Sequence, residues 1–313
     1  MSSLTAAPQR SVQQPSIASV RPAAPHQPRR DNRVRALERF ALSITVFNIL
    51  GHTVLGFEQS AATPLVVALW AYILDLSLEF IDARLHGRRP AFAGSGRALF
   101  EFLLPTQISA MAVSMLLFAG PRLWPYLLGI TIALCSKHLV KAPVNGRWRH
   151  TLNPSNLGIA VVLLLFPWVG IAPPYQFTAK VSEPFTWLIP IGITILGSML
   201  NISLTKKGPL ISAWLIGFVT QATIRIIFFH ATLSTFDPFT GTAFLLFTFY
   251  MITDPGTTPF DRRGQIMFGA GTALLYGILV TMGVSFTLFF ALVLACAIRT
   301  ASLWIKEVQR RVR

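Results

Sequence analysis

The chain has 313 residues, of which 53% are hydrophobic and 12% are charged, and its formal net charge is +15. A mean hydropathy of +0.57 is far above that of a water-soluble domain, so the composition excludes a soluble globular enzyme and indicates a membrane protein. The positive charge raises the possibility of nucleic-acid binding, but its placement between apolar segments fits membrane topology more simply.

The first 36 residues are predicted to be a disordered basic tail. They are rich in Pro, Ala, Ser, Gln and Arg. They lack the short apolar core and small-residue cleavage site of a signal peptide. Because such a composition buries little apolar surface, we expect no fixed fold in residues 1–36. A second, short basic tail is expected over residues 307–313.

Ten apolar segments follow, each near the roughly 20 residues that cross a bilayer as a helix. They are predicted at 38–57, 64–82, 98–119, 122–139, 155–171, 185–201, 209–229, 241–253, 264–282 and 284–304. The sequence therefore predicts an all-α membrane protein of about ten transmembrane helices. They divide into two repeats of five helices, at residues 37–171 and 172–306.

The basic residues fall almost entirely on one side of this predicted topology. Of the 27 Lys and Arg residues, only Arg122, Lys180 and Arg225 lie elsewhere. By the positive-inside rule the basic side is the cytoplasm, and an even number of spans places both termini there. We expect a multi-pass protein of the cytoplasmic membrane whose partner is the lipid bilayer and not nucleic acid.

Two similar polar motifs interrupt the apolar pattern. They read "TLNPSN" (151–156) and "MITDPGTTP" (251–259), and they come at the cytoplasmic ends of the fourth and the eighth predicted segments. Either motif alone is typical of a turn, with cap residues beside a proline. Irregular backbone repeated in a membrane protein is instead typical of a ligand site. We therefore expect Asn153-Pro154 and Asp254-Pro255 to face each other across a polar pocket near the cytoplasmic side.

Around these motifs the chain resembles the NqrB/RnfD family. The runs "KHLVKAPVNGRWRHTLNPSNLGIAVVLLLFP" (137–167) and "FYMITDPGTTPFDRRGQIMFGAGTALLYGIL" (249–279) are similar to the family's "FNP" and "TDP...P...G...FG" segments. Members are membrane subunits of the sodium-pumping NADH:quinone oxidoreductase and of the Rnf ferredoxin:NAD oxidoreductase. The resemblance covers most of residues 38–304. It is strongest to the RnfD-like integral membrane proteins encoded beside enediyne biosynthesis genes, and it too implies ten helices in two halves.

The resemblance implies a flavin cofactor. Family members carry a non-covalent riboflavin between the halves and an FMN esterified to a threonine. Amides, hydroxyls and a carboxylate suit the polar edge of a flavin or its ribityl chain. The cofactor-binding residues expected for a non-covalent riboflavin or FMN are Asn153, Ser155, Asn156, Asp254, Thr257 and Thr258. The implied function is a flavin-binding electron-transfer subunit, with a role in enediyne-type metabolism.

One motif of the family is missing. The family attaches its covalent FMN at an "SGAT"-like stretch, which residues 168–187 do not contain, and "NISLTKKGP" (201–209) replaces the related "GETS" region. Thr205 lacks the expected neighbours, so a covalent FMN is not predicted. The sequence offers neither an NADH-binding domain nor a cysteine array for an iron–sulfur cluster. Electrons would therefore come from a redox partner protein or a biosynthetic complex.

Ionisable residues inside the predicted spans form a second candidate site. Asp75, Glu79 and Asp82 share one face of the second segment at positions i, i+4 and i+7. Glu101 in the third segment and Arg225 in the seventh complete this predicted polar membrane cluster. Such groups face a cavity or a partner. Proton transfer, metal binding, a structural ion pair and a substrate-facing wall all stay open, although no His/Cys ligand spacing predicts a metal site.

A different class of function also stays open. The missing covalent-flavin motif and the acidic face of the second segment fit a membrane transporter, channel or self-resistance protein built on the same fold without redox activity. A scaffold for a biosynthetic complex is a third alternative.

Overall fold

Helical segments occupy all ten of the predicted apolar regions. The computed structural model describes residues 32–144, 146–171 and 185–312. Within them the helices are α1 Asn32–Leu50, α2 Ala62–Leu85, α3 Gly96–Leu116, α4 Trp124–Leu139, α5 Pro154–Leu165, α6 Leu188–Met199, α7 Gly208–Phe229, α8 Thr242–Leu246, α9 Arg262–Thr281 and α10 Thr287–Val312.

Five of these helices, α2, α3, α7, α9 and α10, are long and apolar enough to cross a membrane, judged by length and composition. Shorter apolar helices cover Pro154–Leu165, Leu188–Ser203 and Thr242–Met251. Large apolar side chains such as Leu69 and Ile73 on α2 point outward and are exposed, a pattern that suits lipid better than water. The protein is a predominantly α-helical membrane protein, and a crossing by all ten segments stays a prediction.

Polar caps and prolines set several helix starts. The Ser95 side chain caps α3 by accepting a hydrogen bond from the Ala98 amide at 3.1 Å. Asp261 caps α9 by accepting from the Gly264 amide at 2.7 Å. Such caps satisfy amides that have no partner within the first helical turn. The helices α4, α5 and α7 carry a proline as their first or second residue, where a missing N–H costs no helical hydrogen bond.

Three helices end in a wider π turn. These turns cover Gly51–Leu55 after α1, Leu200–Leu204 after α6 and Phe247–Met251 after α8. Such turns are rare in proteins overall, but those that occur often lie at functional sites. The Asn201 amide in the second turn donates to the Phe249 carbonyl in the third at 2.7 Å. This bond ties the ends of α6 and α8 together.

Four short strands lie between the helices of the described chain. Strand β1 (Leu117–Phe118) pairs antiparallel with β4 (Gly170–Ile171). Strand β2 (Lys141–Val144) pairs antiparallel with β3 (Arg147–His150), with Lys141 opposite His150. This hairpin runs directly into the start of α5, and β2 packs against α10. It therefore helps to fix where α5 begins.

Glycines allow the closest helix crossings. A Cβ added at Gly158 of α5 would lie 2.1 Å from the Gly129 carbonyl oxygen of α4. A Cβ added at Gly269 of α9 would lie 2.4 Å from the Leu210 carbonyl oxygen of α7. Small residues permit such backbone approach between membrane helices. The buried apolar side chains form a continuous core that includes residues of α1 through α10.

The helices extend into both predicted tails. Helix α1 begins at Asn32, so the end of the predicted 1–36 tail is helical, while residues 1–31 lie outside the described chain. Helix α10 continues to Val312, supported by an Arg311–Glu307 ion pair of 3.0 Å at i,i+4 spacing. The predicted boundary between the two halves lies between residues 171 and 172. Residues 172–184 lie outside the part of the chain that the structure describes.

The α4–α5 crossing gives a stability prediction. We expect Gly158→Ala to lower the free energy of unfolding by about 1–3 kcal/mol, because the new methyl group would overlap the Gly129 backbone. Gly129→Ala is the matched control, since its Cβ would meet its nearest atoms at 3.4–3.7 Å, an ordinary contact. Thermal unfolding of both variants in detergent measures the difference. Equal melting temperatures for the two variants would contradict the close crossing.

Candidate functional site

A cavity lies where the two proline motifs meet. It contains about 1000 Å³ of space not filled by atoms, part of it open to solvent. Asn153-Pro154 and Asp254-Pro255 both line it, together with residues of α1, α3 and the π turns that follow α6 and α8. The predicted meeting of the two motifs at a common pocket is therefore confirmed, but the prediction of a polar pocket is wrong, because most of the lining side chains are apolar.

Asn153 joins the two motifs directly. Its Oδ1 caps α5 by accepting from the Asn156 amide at 3.1 Å, and it also accepts from the Ser155 hydroxyl at 3.1 Å. Its Nδ2 donates to the Met251 carbonyl at 3.0 Å, across 98 positions of sequence. One buried side chain thus fixes the start of α5 against the end of the α8 turn.

Asp254 organises the second motif as a tight turn. Its Oδ1 accepts from the Gly256 amide at 3.2 Å and its Oδ2 from the Thr257 hydroxyl at 2.8 Å. Its main-chain carbonyl accepts from the Thr258 hydroxyl at 2.7 Å. Aspartate commonly bonds the backbone two residues on in this way. The carboxylate is held beside the cavity by its own loop.

The cavity has an apolar body with aromatic walls. The Tyr250 ring contacts Phe40 and Phe47 edge-on, with centroid distances of 5.1 and 6.3 Å. From α3, Ile108 and Met115 line the same space. A cavity with an apolar body and a polar end suits a flat amphipathic ligand.

Sequence reasoning missed several residues at the polar end. Lys137, Asn201 and Thr205 line the cavity, as do Ser109 and Thr253. The Thr205 hydroxyl donates to Asn201 Oδ1 at 3.1 Å. A signal existed, because the polar stretch 201–209 interrupts the apolar pattern between two predicted spans. Its contribution to the wall depends on the π turn after α6, which no local pattern predicts.

Three predicted cofactor residues lie behind the cavity rather than in its wall. Asn156 donates its Nδ2 to the Phe289 carbonyl of α10 at 3.0 Å. Thr257 and Thr258 are almost completely buried, and their hydroxyls bond to Asp254. These side chains support the two motifs, whereas Asn153, Ser155 and Asp254 line the cavity.

Two cations hold the Asp254 loop from behind. The Lys207 Nζ donates to the Pro259 carbonyl at 2.7 Å and lies 5.4 Å from the centre of the Phe260 ring. The Arg299 Nη1 donates to the Thr257 carbonyl at 2.9 Å. Lys207 is only 2% exposed. Burial lowers the pKa of its ammonium to about 8, with a smaller lowering from Arg299, while nearby acidic side chains oppose the change.

The predicted polar membrane cluster divides into separate groups. Asp75 is completely buried and accepts hydrogen bonds from Thr106 and from Lys137, whose Nζ lies 3.0 Å from Oδ2. Arg88 binds Glu79 at 2.5 Å and also pairs with Asp82. These contacts correspond to the ion-pair alternative for the acidic face of α2.

The other two members of that cluster lie apart from Asp75. Glu101 pairs with Arg97 at 2.7 Å on the exposed face of α3. Arg225 lies near the end of α7, a helix that packs chiefly on α9, and makes no ion pair within the described chain. Among the described residues, no group of three or more His, Cys, Asp or Glu side chains is arranged to hold a metal ion.

Comparison with known proteins adds no relative. No protein-family model matches the chain, and no curated protein matches it.

The buried Lys207 gives a pH prediction. Between its folded pKa of about 8 and its ordinary value of 10.5, the unfolded chain holds a proton that the folded chain lacks. The free energy of unfolding should therefore rise as pH increases from 8 to 10, by on the order of 2 kcal/mol relative to Lys207→Met. Chemical unfolding in detergent across this range measures the change in the free energy of unfolding.

The exposed neighbour provides the control: Lys206→Met should follow the wild-type pH dependence. A constant difference between wild type and Lys207→Met would count against a buried, proton-losing amine.

Proposed function

We propose that the protein is a flavin-binding electron-transfer subunit of the cytoplasmic membrane, with a role like that of the NqrB/RnfD proteins. The observation that carries the proposal is the cavity between the two proline motifs, because it joins a polar end to an apolar, aromatic body. The resemblance of residues 137–167 and 249–279 to that family points to the same place in the chain.

The residues present fit a non-covalent flavin. Asn153, Ser155 and Asp254 offer amide, hydroxyl and carboxylate groups at the polar end, and Phe40 and Tyr250 offer aromatic surface. A bound riboflavin or FMN would supply one- and two-electron chemistry. The chain's own residues would bind it, orient it and exclude water.

A covalent attachment is not part of the proposal. Thr205 lines the cavity, but its hydroxyl is already bonded to Asn201 within the π turn. A threonine held in this way supports the wall. The proposed cofactor is therefore exchangeable, and it should be lost on dilution or on unfolding of the protein.

The proposed topology has ten spans in two halves of five, with both termini in the cytoplasm. Support comes from the helical segments at all ten predicted positions and from the one-sided distribution of the 27 basic residues. Electrons would reach the cavity from a redox partner protein on either side of the membrane, with an enediyne biosynthetic system as the proposed setting. The described chain ends in a basic helix suited to contact such a partner.

Filling the cavity tests the proposal. Ala112 lies in the α3 wall, so Ala112→Phe should place a ring in the cavity and weaken riboflavin binding by more than about tenfold. Asn153→Ala should also weaken binding, because it removes both the α5 cap and the bond to Met251. Quenching of riboflavin fluorescence by the purified protein gives the affinity. Leu99→Phe, on the exposed side of α3, is the matched control and should bind like wild type.

The result also separates the proposal from its alternatives. Wild-type protein that neither retains nor binds riboflavin or FMN would rule out the flavin function. Solute transport by such protein in vesicles would then establish the transporter or channel. If Ala112→Phe binds as tightly as Leu99→Phe, a flavin is bound elsewhere and the assignment of this cavity is wrong.

A further inference from the structure

A buried group of charges stands directly behind one wall of the cavity. Asp75 of α2 is fully buried, and α4 supplies both of its charged or titratable partners. The Lys137 Nζ lies 3.2 and 3.0 Å from the two Asp75 oxygens, and the His138 Nε2 lies 3.4 Å from Oδ1. The Thr106 hydroxyl of α3 donates to the same carboxylate. The Asp75 carboxylate therefore contacts two other proton-exchanging groups, Lys137 and His138.

Lys137 connects this group to the cavity. Its side chain is 15% exposed and lines the cavity while its ammonium holds Asp75. Pro105 and Ser109 of α3 line the same wall, on either side of Thr106. An ammonium has three N–H donors, so after pairing with the carboxylate Lys137 retains a donor for a ligand.

His138 connects the group to the outside of the helix bundle. It lies in the last turn of α4, and its side chain is 20% exposed. Histidine is the side chain that gains and loses a proton most readily near neutral pH. The order His138, Asp75, Lys137 therefore runs from a partly exposed group through a buried one to the cavity wall.

Other charged groups near this path are already engaged. Glu79, one turn along α2 from Asp75, is held by Arg88. Across the cavity, the Asp254 carboxylate accepts from Gly256 and Thr257 of its own loop. His150 lies at the cavity as well, beside Gly256. One turn earlier on the same face of α2, the Tyr72 hydroxyl bonds to Gln107, which bonds to Thr45. Within the described residues, Lys137 and His138 are the titratable partners of Asp75.

We propose that His138, Asp75 and Lys137 form a proton relay that supplies the ligand in the cavity, a step that depends on the proposed electron-transfer function. When the redox partner delivers an electron, the Lys137 Nζ–H bond breaks and its proton passes to the reduced ligand. The protonated His138 ring gives its Nε2 proton to the Asp75 carboxylate, and the resulting carboxyl gives that proton to the free Lys137 amine. Water outside the bundle recharges His138, so one proton enters for each electron.

The physical need for such a relay follows from the shape of the site. A ligand that fills the polar end excludes water from the cavity, and a charge added in that environment is costly unless a proton accompanies it. A structural ion pair would also explain the Asp75–Lys137 contact. The proton relay differs from a structural ion pair because only the relay requires His138 and a proton-donating lysine.

Two variants separate these roles without leaving Asp75 unpaired. Lys137→Arg keeps the positive charge, but a guanidinium does not release its proton. The arginine could therefore take over a structural role of Lys137 but not a role as proton donor. His138→Gln removes the outer proton-exchanging group and leaves the Asp75–Lys137 pair intact. His86→Gln is the control, because His86 is an exposed histidine on the same side that contacts Asp82.

The experiment follows proton uptake during reduction. Purified full-length protein with riboflavin bound is mixed with reduced methyl viologen, and a pH indicator in weak buffer records protons taken from solution. With each variant saturated with riboflavin, we expect Lys137→Arg and His138→Gln to slow proton uptake about 100-fold and His86→Gln to match wild type. Unchanged uptake rates in both relay variants, with riboflavin bound, would overturn the relay alone.

A second readout uses the ligand-free protein. Reductive methylation followed by mass spectrometry should modify Lys137 from the cavity, and riboflavin should protect it, while the exposed Lys206 reacts in both states. If Lys137 resists modification where Lys206 reacts, Lys137 does not exchange protons with the cavity and the relay is wrong. Wild-type protein that binds no riboflavin would overturn both the proposed function and the relay.

Discussion

The hydrogen bond from Asn153 to the Met251 carbonyl is the contact on which the cavity depends. Backbone polar groups in a membrane protein must be satisfied by the protein itself, because lipid offers no partner. The start of α5 leaves amides unpaired, and the end of the α8 turn leaves carbonyls unpaired. The Asn153 side chain accepts from the Asn156 amide with its oxygen and donates to the Met251 carbonyl with its nitrogen. A single amide thus closes two helix ends and fixes the irregular backbone between them as a wall.

The same device recurs through the bundle. Buried amides donate to carbonyls of neighbouring elements at four further places: Asn48 to Met111, Gln59 to Leu117, Asn156 to Phe289 and Asn201 to Phe249. Each such bond between membrane helices contributes only about 0.6 kcal/mol. These bonds matter more for specificity than for stability, because each amide can reach one particular carbonyl and not the next one along the helix. They set the register of helices whose apolar faces would otherwise slide.

The sequence predicts the helices well and the site in part, for different physical reasons. Apolar length alone locates all ten helical segments, since a run such as 209–229 has no other stable form in lipid. Helix starts at Asn153 and Asp261 follow from local cap chemistry. The π turns and the β2–β3 hairpin have no such signal. They depend on contacts between distant segments, of which the bond from Asn201 to Phe249 is one.

The charged residues show where local reasoning stops. The pair Arg97–Glu101 at i,i+4 spacing is a contact that can be read from sequence. The partner of Asp75 cannot be read from sequence in this way, because Lys137 lies 62 positions away. The charge of Lys137 would also fit the positive-inside pattern if the residue were part of a loop. Only packing of α2 against α4 turns that topological charge into part of a cavity wall.

The hydrogen-bonding groups of that wall follow a consistent division. Asn153 uses its amide nitrogen and oxygen to hold backbone, Asn201 donates to the Phe249 carbonyl and accepts from the Thr205 hydroxyl, and Asp254 binds its own loop. The spare capacity that remains consists of acceptor lone pairs on carboxylate and hydroxyl oxygens and of donors that include Lys137 and the Tyr250 hydroxyl. A ligand complementary to this wall brings N–H or O–H donors to the carboxylate and hydroxyl oxygens and acceptors toward Lys137 and Tyr250. The groups that shape the cavity therefore also determine the polarity of the ligand it can hold.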